Sequence, residues 1–192
     1  MKRLTKLTLT ILLSAIVIFS YSQEDKKKTR AEKKAEKEQR KLEEKKKVEA
    51  QWVMDQEMAK NQNFIVEFTR VTDNRTGTVY NLTPRTNFIA VNGNRVVIQV
   101  ETNEYLADNG LGGVTIDGDL SDYKYNAPEG KKGTIQVSFN VSSQSTFRGS
   151  NVNISVGKEG YTTVTIGSSP MIFGNFVSPE ESKITVGGSF WN

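Results

Sequence analysis

The chain has 192 residues, enough for one ordinary domain and an additional segment. It contains no histidine and no cysteine, which excludes Ser/His/Asp and Cys/His nucleophilic mechanisms, the usual zinc ligands and any disulfide. The formal charge of +4 is uneven: residues 1–23 hold 3 basic and no acidic residues, residues 24–49 hold 12 and 8, and the remaining 143 hold 11 and 14, a body without the basic, aromatic-interleaved stripe that a nucleic-acid partner requires.

The first element is a leader. In "MKRLTKLTLTILLSAIVIFSYSQ" the basic residues Lys2, Arg3 and Lys6 precede an apolar run from Leu7 to Phe19, and Ser20 and Ser22 flank Tyr21. This small-x-small arrangement predicts a signal peptide over residues 1–22, cleaved after Ser22 to leave Gln23 first. The apolar run is short beside the roughly 20 residues of a membrane span, and it holds Thr8, Thr10 and Ser14. With no cysteine after it, the expected product is a periplasmic or secreted protein that is not a lipoprotein and has no membrane span after signal removal.

Residues 23–61 form the next predicted element. From Glu24 to Ala59 there is no glycine or proline, and Lys, Glu, Arg, Gln and Ala dominate, a composition that predicts one long helix. Pairs such as Glu36 with Arg40 and Glu43 with Lys47 support it by about 0.3–0.5 kcal/mol each, while Lys33 with Lys37 opposes it. Apolar residues are too few before Leu42 for a heptad seam, so a coiled coil is not expected. From Val48 onward the residues Val48, Trp52, Val53, Met54, Met58 and Ala59 suggest an apolar face that docks on the β domain downstream. The Lys/Glu run reads as a solvated helix, or as a spacer or contact with anionic envelope polymers.

From residue 62 to 192 the pattern changes to period two, as in "FIVEFTRV" with Phe64, Val66 and Phe68 on one face. Further strands are expected at Thr78–Leu82, Asn87–Val91, Arg95–Thr102, Val114–Asp117, Leu120–Asn126, Thr134–Ser142, Val152–Val156, Thr162–Ile166, Met171–Val177 and Ser182–Val186. The "NGN" of Asn92–Asn94 predicts a tight hairpin, because Asn and Gly tolerate positive φ, and "KEG" at Lys158–Gly160 predicts another. No helical pattern interrupts the series, so the fold class is mainly β: an antiparallel β-sandwich or small β-barrel preceded by one long charged N-terminal helix.

The stretch "GLGGVTIDGDLSD", Gly110 to Asp122, admits three readings. A phosphate loop must open a helix, whereas "VTID" continues as strand. A calcium site would use Asp117, Asp119 and Asp122, yet the spacing is D-x-D-x-x-D with no closing Glu. The favoured reading is architectural, with Gly112 and Gly113 permitting a bend and Asp117-Gly118 turning a hairpin. The preceding loop, Asn103–Gly113, presents Tyr105, Leu106 and Leu111, and is the candidate ligand-facing or partner-facing lid, or else a plug at one end of the core.

Two stretches, "NLTPRTNFIAVNGNRVVIQ" (Asn81–Gln99) and "NGLGGVTIDGDLSDYKY" (Asn109–Tyr125), with "GKKGTIQVSFNV" and "VNISVGKEGYTTVTIG", resemble the domain-of-unknown-function family 4251 over about Lys41 to Gly188. The resemblance implies an export signal, a charged helix and a β domain, mostly in Bacteroidota, and no known activity or binding residues. Many relatives resemble lipoproteins, from which this cysteine-free chain departs. The expected function is a non-enzymatic envelope module whose partner is an envelope protein, a glycan or a small apolar ligand, with no cofactor beyond a weakly indicated calcium. The alternatives are a structural spacer, about 54 Å of helix at 1.5 Å per residue, and a carboxylate-based hydrolase of envelope glycans drawing on Asp117, Asp119, Asp122, Glu101 and Glu104.

Overall fold

A computed structural model describes residues 29–72, 76–101, 113–128, 133–142, 150–167, 171–182 and 184. The chain divides into two compact units, Met1–Lys45 and Lys46–Asn192. Helix α1 runs from Arg30 to Lys60, so its second half belongs to the unit that holds the strands. Its start is closed by a reciprocal capping box: Thr29 N–H donates to Glu32 Oε2 at 2.7 Å, and Glu32 N–H donates to Thr29 Oγ1 at 3.3 Å. Arg40 pairs with Glu36 at 3.0 Å, as their spacing predicts.

Nine antiparallel strands come after the helix: β1 (Asn63–Thr72), β2 (Val79–Asn81), β3 (Phe88–Asn92), β4 (Arg95–Glu101), β5 (Gly113–Asn126), β6 (Ile135–Ser142), β7 (Ser150–Val156), β8 (Tyr161–Ile166) and β9 (Met171–Val177). Each strand from β3 to β9 pairs with the next, and β9 returns to β1, so eight strands close into a barrel. The choice between sandwich and barrel is thereby resolved. Strand β2 stands outside the closed ring, on the end of β1.

Alternation sends every second side chain inward. Phe64, Val66 and Phe68 of β1 meet Ile89, Val91, Ile98, Phe139, Ile154, Val164 and Phe176 in one buried cluster. Phe64 stacks on Phe176 with ring centroids 4.8 Å apart, diagonally across the closing seam where Phe176 pairs with Val66. At eight strands a barrel is just wide enough for side chains to fill, and four phenylalanines contribute to filling this one. A close approach at the seam depends on Gly174, because a Cβ there would stand 2.3 Å from the Glu67 carbonyl oxygen.

Strands β1, β3 and β4 are also buried on their outer face. Ile65, Phe88, Ala90 and Val97 form a second cluster against Val177 and Ile184. Ser182 Oγ donates to Glu67 Oε1 at 2.6 Å and fixes the segment after β9 to the wall. This double burial explains why "FIV", "FIAV" and "VVI" are continuous apolar runs rather than strict alternations.

The second half of α1 rests against the barrel end at which β1 starts. Trp52 and Ala59 join the interior cluster, and the Tyr123 hydroxyl of β5 donates to the Ala59 carbonyl. Docking therefore occurs as the apolar spacing suggests, with a correction to the face: Val53 and Met54 are exposed, and Asp55 is buried beside Trp52 instead. Burial pushes the Asp55 carboxyl up to about 6, with Glu181 adding to the rise and the hydrogen bond from Gln51 opposing it.

Two further expectations are corrected. Asp117-Gly118 does not turn a hairpin, because Gly113–Asn126 is one continuous strand in which Asp117 pairs with Val97 and Gly118 with Val96. The irregularity lies further on, at a register shift between Ser121 and Lys124 where Asp122 has φ 52°. Ser182 and Ile184 lie outside any strand. The Asn92–Arg95 hairpin forms as expected, with Gly93 at φ 57°.

Candidate functional site

With the interior occupied by side chains, concavity occurs on the outer wall. A cleft of about 520 Å³ opens there, across β2, β1, β9 and β8, lined by residues that include Arg70, Asn81, Tyr161, Phe173 and Asn175. Its geometry starts with a bulge. The β1–β9 register shifts between Phe68 and Arg70, leaving Thr69 as the extra residue. Thr69 Oγ1 donates to the Phe173 carbonyl at 3.2 Å, and the Thr69 carbonyl accepts from Leu82 N–H at 2.8 Å, which holds the β2 end against β1. Past the bulge Val71 packs on the core and Arg70 points outward, the re-aiming that bulges produce.

Register then sets the neighbours. Arg70 stands opposite Asn81 on one side and Phe173 on the other, while Asn175 stands opposite Tyr161. The Arg70 guanidinium lies 4.3 Å above the Phe173 ring centroid, a stacking that fixes its plane. Among the described residues no carboxylate forms an ion pair with it. Tyr161 is 68% exposed. Described lining residues include no Asp, Glu or Lys.

A contrast on the opposite wall shows what is distinctive about the cleft. There Asn153 Nδ2 donates to Asn151 Oδ1, Asn151 Nδ2 to Asn140 Oδ1, and Asn140 Nδ2 to Asp122 Oδ2, at 2.6, 3.1 and 2.8 Å. That amide ladder is engaged in its own bonds. In the cleft, Asn81 and Asn175 present amides beside a stacked cation.

The residues singled out from sequence are distributed differently. Tyr105, Leu106 and Leu111 lie outside the described residues, as does Glu104. Asp117, Asp119 and Asp122 all project from the outer wall. Asp117 pairs with Arg95 at 3.2 Å, and Asp122 accepts from Asn140. Among the described residues no three acidic side chains converge as a metal site would require. Glu101 is half-buried, and its backbone N–H donates to Asn87 Oδ1 at 2.7 Å. The cleft residues carry no local sequence signal, since a bulge and a closing seam bring them together.

A second, smaller concavity of about 420 Å³ lies beside α1, lined by Met54, Glu57, Met58, Asn61, Asn92 and Pro179 among others. Among the described residues no helix is long and apolar enough to cross a membrane.

From residue 46 on, the chain is thus a closed eight-stranded antiparallel barrel with the second half of α1 against one end and a polar cleft on its wall. The family model for a domain of unknown function, DUF4251, matches residues 45–171, and the chain belongs to that family. A similar solved structure is the crystal structure of a DUF4251 family protein from Bacteroides eggerthii. It is 30% identical, with a TM-score of 0.55, over 70% of this chain and 94% of that one. No curated protein matches the chain. The matched span begins within α1 and ends at the first residue of β9, so it includes Arg70 and Tyr161.

Proposed function

We propose that the protein is an exported cell-envelope module that binds a ligand on the outer wall of its barrel and leaves it chemically unchanged. The observation that carries this reading is the cleft at Arg70: a stacked guanidinium, two amides and an exposed tyrosine, beside a barrel interior filled with its own side chains. Stacking rings and hydrogen-bond donors hold ligands. Acid/base catalysis needs a group that accepts a proton near neutrality, and the described lining offers no carboxylate or histidine for that work. Export is supported by the basic, apolar and small-residue order of the first 22 residues.

Binding is tested with the full chain on an array of envelope polysaccharides and peptidoglycan fragments, beside the double variant Tyr161→Ala/Phe173→Ala. Retention of a ligand by the parent protein and its loss in the variant is the expected result. Equal retention by both would place binding elsewhere, and release of a cleaved product would overturn the non-enzymatic reading. Mass spectrometry of the protein recovered from its host's envelope should find Gln23 at the N-terminus; an intact Met1 would refute cleavage.

A further inference from the structure

We infer that the Arg70 cleft selects a carboxylated sugar, a uronic acid either free or as a unit of an acidic polysaccharide. This rests on the binding reading of the same cleft and adds the chemical class of the ligand.

The carboxylate is assigned by the guanidinium. The Arg70 guanidinium lies 4.3 Å over the Phe173 ring, and among the described residues no carboxylate pairs with its N–H edge. A fixed planar fork matches a carboxylate with two parallel hydrogen bonds. The nearest carboxylate on the same strand, Glu67, accepts from Ser182 Oγ at 2.6 Å. Arg70 is the one cation in the described lining, with no lysine beside it. A single positive charge complements a monoanion; a phosphate dianion would call for a second cation or a ring of backbone N–H groups.

The sugar is assigned by the remaining groups. Asn81 stands opposite Arg70 on β2, and Asn175 lies two residues along β9 from Phe173; both line the cleft with uncharged donors and acceptors, the complement of ring hydroxyls. Tyr161 presents an aromatic surface, 68% exposed, opposite Asn175, and a pyranose packs its C–H face on such a ring. Neighbouring strands lie about 4.8 Å apart. The register therefore spreads Asn81, Arg70 and Phe173 over roughly 10 Å, with Tyr161 one strand beyond. That breadth suits more than one ring, and the cleft volume of about 520 Å³ lies within the ordinary range for ligand sites.

The test is titration calorimetry of the full chain with three probes: glucuronic acid, a glucuronate-containing oligosaccharide, and that oligosaccharide with its carboxyls reduced to alcohols. We expect the acidic oligosaccharide to bind. Carboxyl reduction and Arg70→Gln should each weaken it tenfold or more, with the two losses overlapping rather than adding, because both remove the same contact. Arg70→Lys keeps the charge but removes the fork, and should also weaken binding. Arg70 is exposed, so thermal unfolding should be unchanged in both variants. Comparable binding of the monomer identifies the free acid as the ligand, and binding of the oligomer alone identifies a polymer unit. Equal affinity for the carboxyl-reduced sugar, or an unaltered Arg70→Gln variant, overturns the carboxylate assignment while leaving a glycan-binding module. Failure of all three probes, with another ligand still lost in the Tyr161→Ala/Phe173→Ala variant, overturns the sugar assignment and spares the binding reading.

Discussion

The buried carboxyl of Asp55 makes the stability of this fold depend on pH in a direction opposite to that of most native carboxylates. Asp55 is 0% exposed, and burial raises its pKa from 3.8 to about 6. Gln51 donates to Oδ1 at 2.8 Å, while Oδ2 and the neighbouring Trp52 Nε1 have no hydrogen-bond partner among the described residues. Among the described residues, the charged groups near this corner include Glu181, which favours the protonated form, and Lys158, whose ammonium lies 6.0 Å from the Trp52 ring centroid. A carboxyl whose pKa is raised by folding stabilises the fold fully below its unfolded value of 3.8, and that stabilisation is lost as pH rises through about 6. A shift of about 2 units at 1.36 kcal/mol per unit bounds the loss at about 3 kcal/mol. Asp55→Asn keeps the shape, keeps an acceptor for Gln51 and cannot ionise. In urea unfolding, the variant should match the parent near pH 3.5 and exceed it by about 1–3 kcal/mol at pH 7.5, the lower figure allowing for an amide donor left unpaired. In a chain of this size that difference raises the midpoint of thermal unfolding by roughly 2–10 °C. A stability difference independent of pH, or an Asn variant weaker than the parent at pH 7.5, would refute the reasoning.

Two other positions give predictions of opposite chemical kind. Asn87 is buried, with Nδ2 donating to the Thr83 carbonyl and Thr86 Oγ1 and Oδ1 accepting from Glu101 N–H; Asn87→Ala should cost about 2–4 kcal/mol in urea unfolding by stranding those groups, and a cost below about 1 kcal/mol would contradict this account. Gly174→Ala places a Cβ against the Glu67 carbonyl at the β1–β9 seam and should cost about 3 kcal/mol by forcing backbone apart. Hydrogen exchange should then accelerate at the paired amides of β1 and β9 before those of β6 and β7; uniform acceleration would show that the seam is not the local weak point.

Legibility in the sequence followed the range of the interaction involved. The helix and most strands were readable because their signals are local: a run of helix formers, period-two alternation, and Gly93-Asn94 at a two-residue turn. The capping box was also written locally, as Thr29-x-x-Glu32, although composition alone starts the helix earlier, at Glu24. Asp55 illustrates a different loss. It follows Trp52 by three residues and precedes Ala59 by four, the spacing of one helix face, yet its charge assigns it to solvent on any hydropathy argument.

The hairpin expected at Asp117-Gly118 failed for a reason that extends to the cleft. An Asp-Gly pair turns the chain when the segments on its two sides pair with each other. Here the residues up to Asp119 pair with β4, and those from Asp119 onward pair with β6, so the strand runs straight through the signal. Partner choice at that distance is written nowhere near residue 117. The same holds for barrel closure, which joins Val66 to Phe176, and for the Thr69 bulge, which exists only in register with β9. Arg70 reads locally as one more outward charge on a strand. Once the seam closes, Phe173 lies beneath its guanidinium, and Asn81 and Asn175 line the same cleft. A seam that brings together residues about a hundred positions apart can hold a guanidinium against a ring that no local motif encodes, so the place to test for ligand selection in this protein is the wall on either side of β1.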